Sequence, residues 1–358
     1  ALHDLETMRE IVKVLNDIDP TIMVYGEPWM GGTTTLPASE QAGKTNLHLL
    51  DGVGAFNDDL RDGVKGSVFV SKEGGFVQGN FNNQLTNRVK YGIAGGIKFE
   101  GLEESLLSNT RVWHTSPLKT INYVTAHDNN TLHDKLHMTL EDDNKTHLIT
   151  PMIKQANAIV LTSQGVSFLH AGDEFARTKP AASGSGFDSN SYESPDSVNQ
   201  IRWDQKGDHL DLFEYFKGLI KLRKSEDLFR LTSAEDILEK LEFVYENTKG
   251  LIAYTLSDDD SNYLVLHNAN QKNTKVKLPK GGGWHVIVDG NTAGNESINT
   301  YKGGQRVRLD ANSTYVMYQD ETLPDTNNTL LIVSIIGGIV VVAGGVTSFI
   351  FIKKKKNV

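Results

Sequence analysis

Cysteine does not occur in the 358 residues, which excludes a disulfide framework and any thiolate-ligated zinc, while leaving an exported protein open. An excess of positive charge is also missing. Thirty-six Lys and Arg stand against 45 Asp and Glu, for a formal net charge of −9, and a nucleic-acid binder needs a basic face that this balance does not offer. A neutral substrate fits better. The opening residues Ala1-Leu2-His3-Asp4 lack the basic start and apolar core of a leader peptide, so the chain is expected to be part of a longer protein and to open inside a domain.

At 38% hydrophobic and 23% charged residues, the composition is that of an ordinary globular chain long enough for more than one domain. Apolar residues at Leu5, Met8, Ile11, Val12 and Leu15 have helical spacing, with Asp4 placed to cap them. Thr21 to Gly26 reads as a buried strand that breaks at Glu27-Pro28-Trp29, and Gly52 to Asn57 as another, followed by a helix from Asp58. Asn83 to Ile93 is readable as a helix. Ile121 onward is a short β-rich run that stops in His127-Asp128-Asn129, and Gly165 to His170 repeats the pattern after an apolar helix over Thr150 to Ser163. Acids and an imidazole at strand ends are where α/β barrels place their chemistry. Two carboxylates, Glu27 and Asp128, are the minimum for glycoside work.

Five stretches, in order, resemble the pullulanase-type debranching enzymes of the α-amylase superfamily. They are Tyr25-Gly26-Glu27-Pro28-Trp29, Ala55 to Asp62, Thr125-Ala126-His127-Asp128-Asn129, Phe168 to Lys179 and Asn190 to Trp203. The resemblance implies the C-terminal half of a (β/α)8 barrel over residues 1–230 and retaining hydrolysis of α-1,6 links in pullulan, glycogen or amylopectin. It casts Glu27 as general acid and base, and His127 with Asp128 as stabilisers of the oxocarbenium-like transition state. Trp29, Asn57, Asn129, Asn190 and Tyr192 become substrate-binding residues. It also places the nucleophilic aspartate a few residues before Ala1, so that residues 1–358 alone are expected to be inactive. Asp4 is not a substitute, since capping already explains it. Pro28 and Trp29 are expected to desolvate Glu27 and raise its pKa. His133 stands where relatives often carry tryptophan. His127-Asp128 with His133 five residues on also suggests a metal site, but neither a second carboxylate nor histidine spacing on one helix is read to support it, so zinc is not expected; no cofactor is called for, with room left for a structural calcium. Asp58, Asp59, Arg61, Asp173 and Glu174 are read as architectural.

From Leu231 the texture changes to short strands divided by turns, which predicts an all-β sandwich over 231–320 with Trp284 in its core. A linker over 321–329 contains Leu323-Pro324-Asp325-Thr326-Asn327, which resembles a Gram-positive sorting signal except for Asn327 in place of glycine. Leu330 to Ile352 is an uncharged stretch of about 23 residues, enough for a transmembrane helix, and Lys353 to Lys356 follow it. The expected location is therefore the outer cell surface, with the membrane, and through sortase the cell wall, as partners beside a branched α-glucan. Two other readings stay open: a non-catalytic surface glucan-binding protein and an α-1,4-acting amylase relative.

Overall fold

The computed structural model describes residues 3–140 and 143–320. Helix α1 (Leu5–Ile18) starts where the Asp4 carboxylate accepts from the Thr7 amide at 2.7 Å, the cap expected of a β-region aspartate. Strands β1 (Val24–Gly26) and β2 (Val53–Phe56) follow, then α2 (Asp58–Lys65), α3 (Asn83–Ile93), β3 (Thr120–Asn122), α4 (Leu132–Thr139), α5 (Ile149–Thr162) and β4 (Val166–Ser167). The four strands form one parallel sheet in chain order, with registers Val24↔Val53, Ala55↔Thr120 and Ile121↔Val166. Among the described residues the sheet is open, and β1 and β4 each have one neighbour.

That position corrects two strand readings. The stretch from Thr21 is not buried: Ile22, Met23 and Tyr25 are 38%, 43% and 47% exposed, because β1 is an edge with only β2 beside it. The strand expected over Gly165 to His170 is paired only at Val166 and Ser167, the other edge. Apolar residue type marked the strands, but burial follows from neighbours that the type alone does not supply.

Two single-turn helices, α6 (Asp196–Asn199) and α7 (Gln205–Asp208), lead into α8 (Leu210–Ser225), and α9 (Ala234–Lys240), capped by Ser233, precedes the strands. Helix α9 lies where the sequence suggested only β-structure. The strands are β5 (Leu241–Val244), β6 (Leu251–Ser257), β7 (Asn262–Asn268), β8 (Thr274–Lys277), β9 (Gly283–Val288), β10 (Asn299–Lys302), β11 (Arg306–Leu309) and β12 (Ser313–Asp320). Six form an antiparallel sheet, β10-β9-β12-β7-β6-β5, and β11-β8 make a ribbon packed on it. Alternation assigns the two faces: Leu264, Leu266, Tyr315 and Met317 meet the ribbon's Val276, Leu278, Val307 and Leu309, with Trp284 fully buried among them. Tyr254, Val265 and Val316 point the other way, into a core shared with Ile159 and Val160 of α5 and Leu219 of α8. Both faces are covered, so these strands read as continuous apolar runs.

The two units are joined directly. Tyr254 donates its hydroxyl to the Thr162 carbonyl at 2.8 Å, and Gln155 donates to the Ser313 carbonyl at 3.0 Å. A Cβ on Gly218 of α8 would come within 1.9 Å of the Ala293 carbonyl oxygen, so only glycine lets α8 approach the sandwich this closely. No helix of the described residues is long and apolar enough to cross a membrane, and the expected transmembrane segment 330–352 and sorting motif lie outside them.

Candidate active site

The parallel sheet brings its chemistry to one rim. Glu27 leaves the end of β1, and His127 and Asp128 lie on the loop between β3 and α4. His127 Nε2 stands 3.3 Å from Asp128 Oδ1 and 3.8 Å from Glu27 Oε1, and the three groups offer ligand-type atoms within 4.8 Å of one another. They open onto a groove of about 450 Å³ lined also by Trp29, Arg61 and Asn129. Asn129 sits in the left-handed region at φ 62°, which asparagine tolerates better than most residues and which turns the chain out of the rim.

Beneath the rim the sheet is floored by aromatic rings in edge contacts, Phe56 with Tyr123 at 4.9 Å and with Phe168 at 5.1 Å. The Tyr123 hydroxyl accepts from Arg61 Nη1 at 2.9 Å, and the Arg61 guanidinium lies 5.5 Å from the Trp29 ring centre. Trp29 donates its indole N–H to Asp58 Oδ2 at 3.2 Å. Asp58 pairs with Lys44; burial opposes ionising this carboxyl, but the ammonium prevails and holds it below the usual carboxylate range. Asp59, fully buried, is bonded by Ser108 and paired with Lys44 and Arg88. Asp58 and Asp59 are thus architectural, although Arg61 pairs with Asp62 at 2.6 Å rather than with either of them.

Two buried lysines hold the His-Asp loop from behind. Lys179, 1% exposed, donates to the His127 carbonyl, and Lys65 donates to the Asn130 carbonyl at 3.1 Å. Burial, with Arg61 nearby, pushes the Lys65 ammonium down to about 7. No periodicity marks these lysines. The signal that could have found them is their place in the same motifs as Asp58 and Asp173.

Not every expected site residue is in the groove. Asn57 is fully buried, caps α2 by accepting from Leu60 at 3.3 Å, and donates to Asn122 Oδ1 at 2.9 Å, so a sugar hydroxyl cannot reach it in this arrangement. Asn190 and the 61%-exposed Tyr192 lie on a separate loop that touches the site loop where Asn130 Nδ2 donates to the Asp188 carbonyl at 3.4 Å. Glu27 has a side chain 46% exposed, and the Trp29 indole is engaged with Asp58, so the desolvating wall expected around the carboxyl is not closed. Asp173 is buried, and Glu174 accepts from the Gly172 amide at 2.8 Å, both in structural roles.

A carboxyl beside an imidazole and a second carboxylate, open to a groove over aromatic rings, can exchange a proton with a bound oxygen and hold positive charge on a ring. The fold class is accordingly an α/β unit with an acidic strand-end rim, joined to an all-β domain. The family model of the pullulanase all-beta domain matches residues 237–292. The pullulanase of Bacillus subtilis is 34% identical over 294 residues, covering 81% of this chain and 38% of that protein. The solved pullulanase from Bacillus acidopullulyticus superposes with a TM-score of 0.77 at 34% identity over 88% of this chain and 36% of that one. The Paenibacillus barengoltzii pullulanase complexed with maltohexaose and alpha-cyclodextrin gives 0.75 at 36% identity, covering 88% of this chain and 46% of that one. The chain is a portion of a pullulanase-type enzyme, spanning less than half the length of these relatives.

Proposed function

We propose that the chain supplies the acid and transition-state half of a retaining glycoside hydrolase acting on α-1,6 links of pullulan, glycogen or amylopectin. The observation that carries this reading is the convergence of Glu27, His127 and Asp128 within 4.8 Å on one groove, from residues a hundred positions apart. Glu27 protonates the glycosidic oxygen and later takes a proton from the attacking water. Asp128, with His127, holds ring hydroxyls whose geometry changes as positive charge develops, and so favours the transition state over the ground state.

The remaining member, a nucleophilic carboxylate, belongs to a strand outside residues 1–358. The sheet supports this: four parallel strands in chain order are what a segment of a (β/α)8 barrel presents, and β1 has an edge free to pair with a further strand. Attachment to the cell surface through Leu330 to Ile352 and the lysines beyond is part of the same reading, supported by the length of the apolar stretch. The test is reducing-sugar release from pullulan by the chain alone and by a longer protein that includes the upstream barrel strands. Activity is expected only in the longer protein, and Glu27→Gln in it lowers turnover by about two to four orders of magnitude. Hydrolysis by residues 1–358 alone, or a loss under tenfold in the variant, overturns the assignment.

A further inference from the structure

The histidine spacing on one helix that His127 and His133 do not make occurs within helix α4. His133 and His137, four residues apart, set their rings edge to face with centres 4.5 Å apart and bring their Nε2 atoms to 3.2 Å. Their orientation is imposed from behind. His133 Nδ1 lies 3.2 Å from Oδ1 of the fully buried Asp134, and that carboxylate is itself fixed by the Thr178 hydroxyl at 2.6 Å and the Lys179 amide at 2.8 Å. With Nδ1–H donating to Asp134, the lone pair of His133 is on Nε2, facing His137.

We propose that His133 and His137 form a two-imidazole site for a borderline divalent transition ion of the zinc class, with water completing the coordination. Two nitrogens each about 2.0–2.1 Å from a tetrahedral zinc stand roughly 3.3 Å apart, and the observed 3.2 Å needs almost no adjustment. A carboxylate on the far nitrogen of a ligating histidine is the usual outer-shell device, fixing tautomer and ring plane and raising basicity. The site is distinct from the catalytic rim, since neither histidine lines the groove. It is nevertheless coupled to that rim, because Asp134 is bonded to the residue pair Thr178-Lys179 and Lys179 holds the His127 carbonyl. A bound ion therefore stiffens the loop that presents His127 and Asp128.

The experiment is calorimetric titration of the full chain with zinc chloride in a non-coordinating buffer at pH 7.5, beside His137→Gln and His127→Gln. His137 is exposed, and circular dichroism shows whether its replacement leaves the fold intact. The expected result is one zinc bound by the wild type, affinity at least tenfold weaker in His137→Gln, and no change in His127→Gln. Zinc should also raise the thermal midpoint of the wild type and not of His137→Gln. Unchanged affinity in His137→Gln overturns the proposal, and so does a loss that follows His127→Gln, which would assign the ion to the Glu27, His127 and Asp128 cluster.

Discussion

The four-stranded parallel sheet and the six-stranded antiparallel sheet are built from similar apolar strands, yet the proposed chemistry lies on the first and not on the second. In the six-stranded sheet both faces are sealed, one by the ribbon and one by α5 and α8, and one of its two histidines, His267, is fully buried. The parallel sheet has short strands and two open edges, and it gathers Glu27, His127 and Asp128 at one end. Stability is concentrated where strands are long and covered, whereas reactive groups sit where the backbone stops pairing.

That division can be broken or sharpened by substitution. In a longer protein with the upstream strands, Asp128→Asn should lower kcat by about two to three orders of magnitude with no change in the urea midpoint, because the carboxylate acts on developing charge and holds no element together. A fall in stability of comparable size would show that Asp128 is part of the scaffold. Trp284→Ala should do the reverse. Removal of a fully buried indole costs about 3–5 kcal/mol, measured by denaturant unfolding of the full chain, while the geometry of the rim is retained.

Asn57→Ala tests a residue that lies between the two categories. It deletes a helix cap and leaves Asn122 short of a partner, so a loss of about 1–3 kcal/mol is expected, with KM for glucan unaffected. A raised KM at unchanged stability would return Asn57 to the groove.

The smallest effects are pH-dependent and fall on opposite sides of neutrality. His267 is pushed by burial to about 3, so between about pH 6.5 and 3 the unfolded chain binds a proton that the folded chain refuses, and stability falls as pH drops through that window. His267→Gln should flatten this acid limb. Lys65, pushed down to about 7, is uncharged in the fold and charged in the unfolded chain up to about pH 10.5, so its contribution raises stability as pH climbs from 7 to 10.5. Lys65→Met should flatten the alkaline limb alone. Midpoints of urea unfolding across pH check both, and a variant that alters the wrong limb would refute the cause given.

The sequence made some of this plain for definite reasons. Helix α3 was expected over Asn83 to Ile93 and spans those residues, and the sandwich strands announced themselves because burial on both faces leaves few polar positions to interrupt them. Glu27 was readable as the residue that stops a strand, whereas the run expected to end at His127-Asp128 leaves the sheet at Asn122, five residues earlier; the structure still brings all three to one groove. What could not be read was the support. Lys65 and Lys179 look like surface cations in any helical or strand pattern, and the fold shows them holding carbonyls from below. Asn57 was misassigned for the same reason, since a strand-end amide reads alike whether it faces solvent or the next strand. Helix α9 was hidden by its position just ahead of the β-rich stretch.

The contact at Gly218 has a consequence for substitution. A joint with no space for a methyl group has no slack for a larger side chain, so Gly218→Ala must push α8 and the sandwich apart.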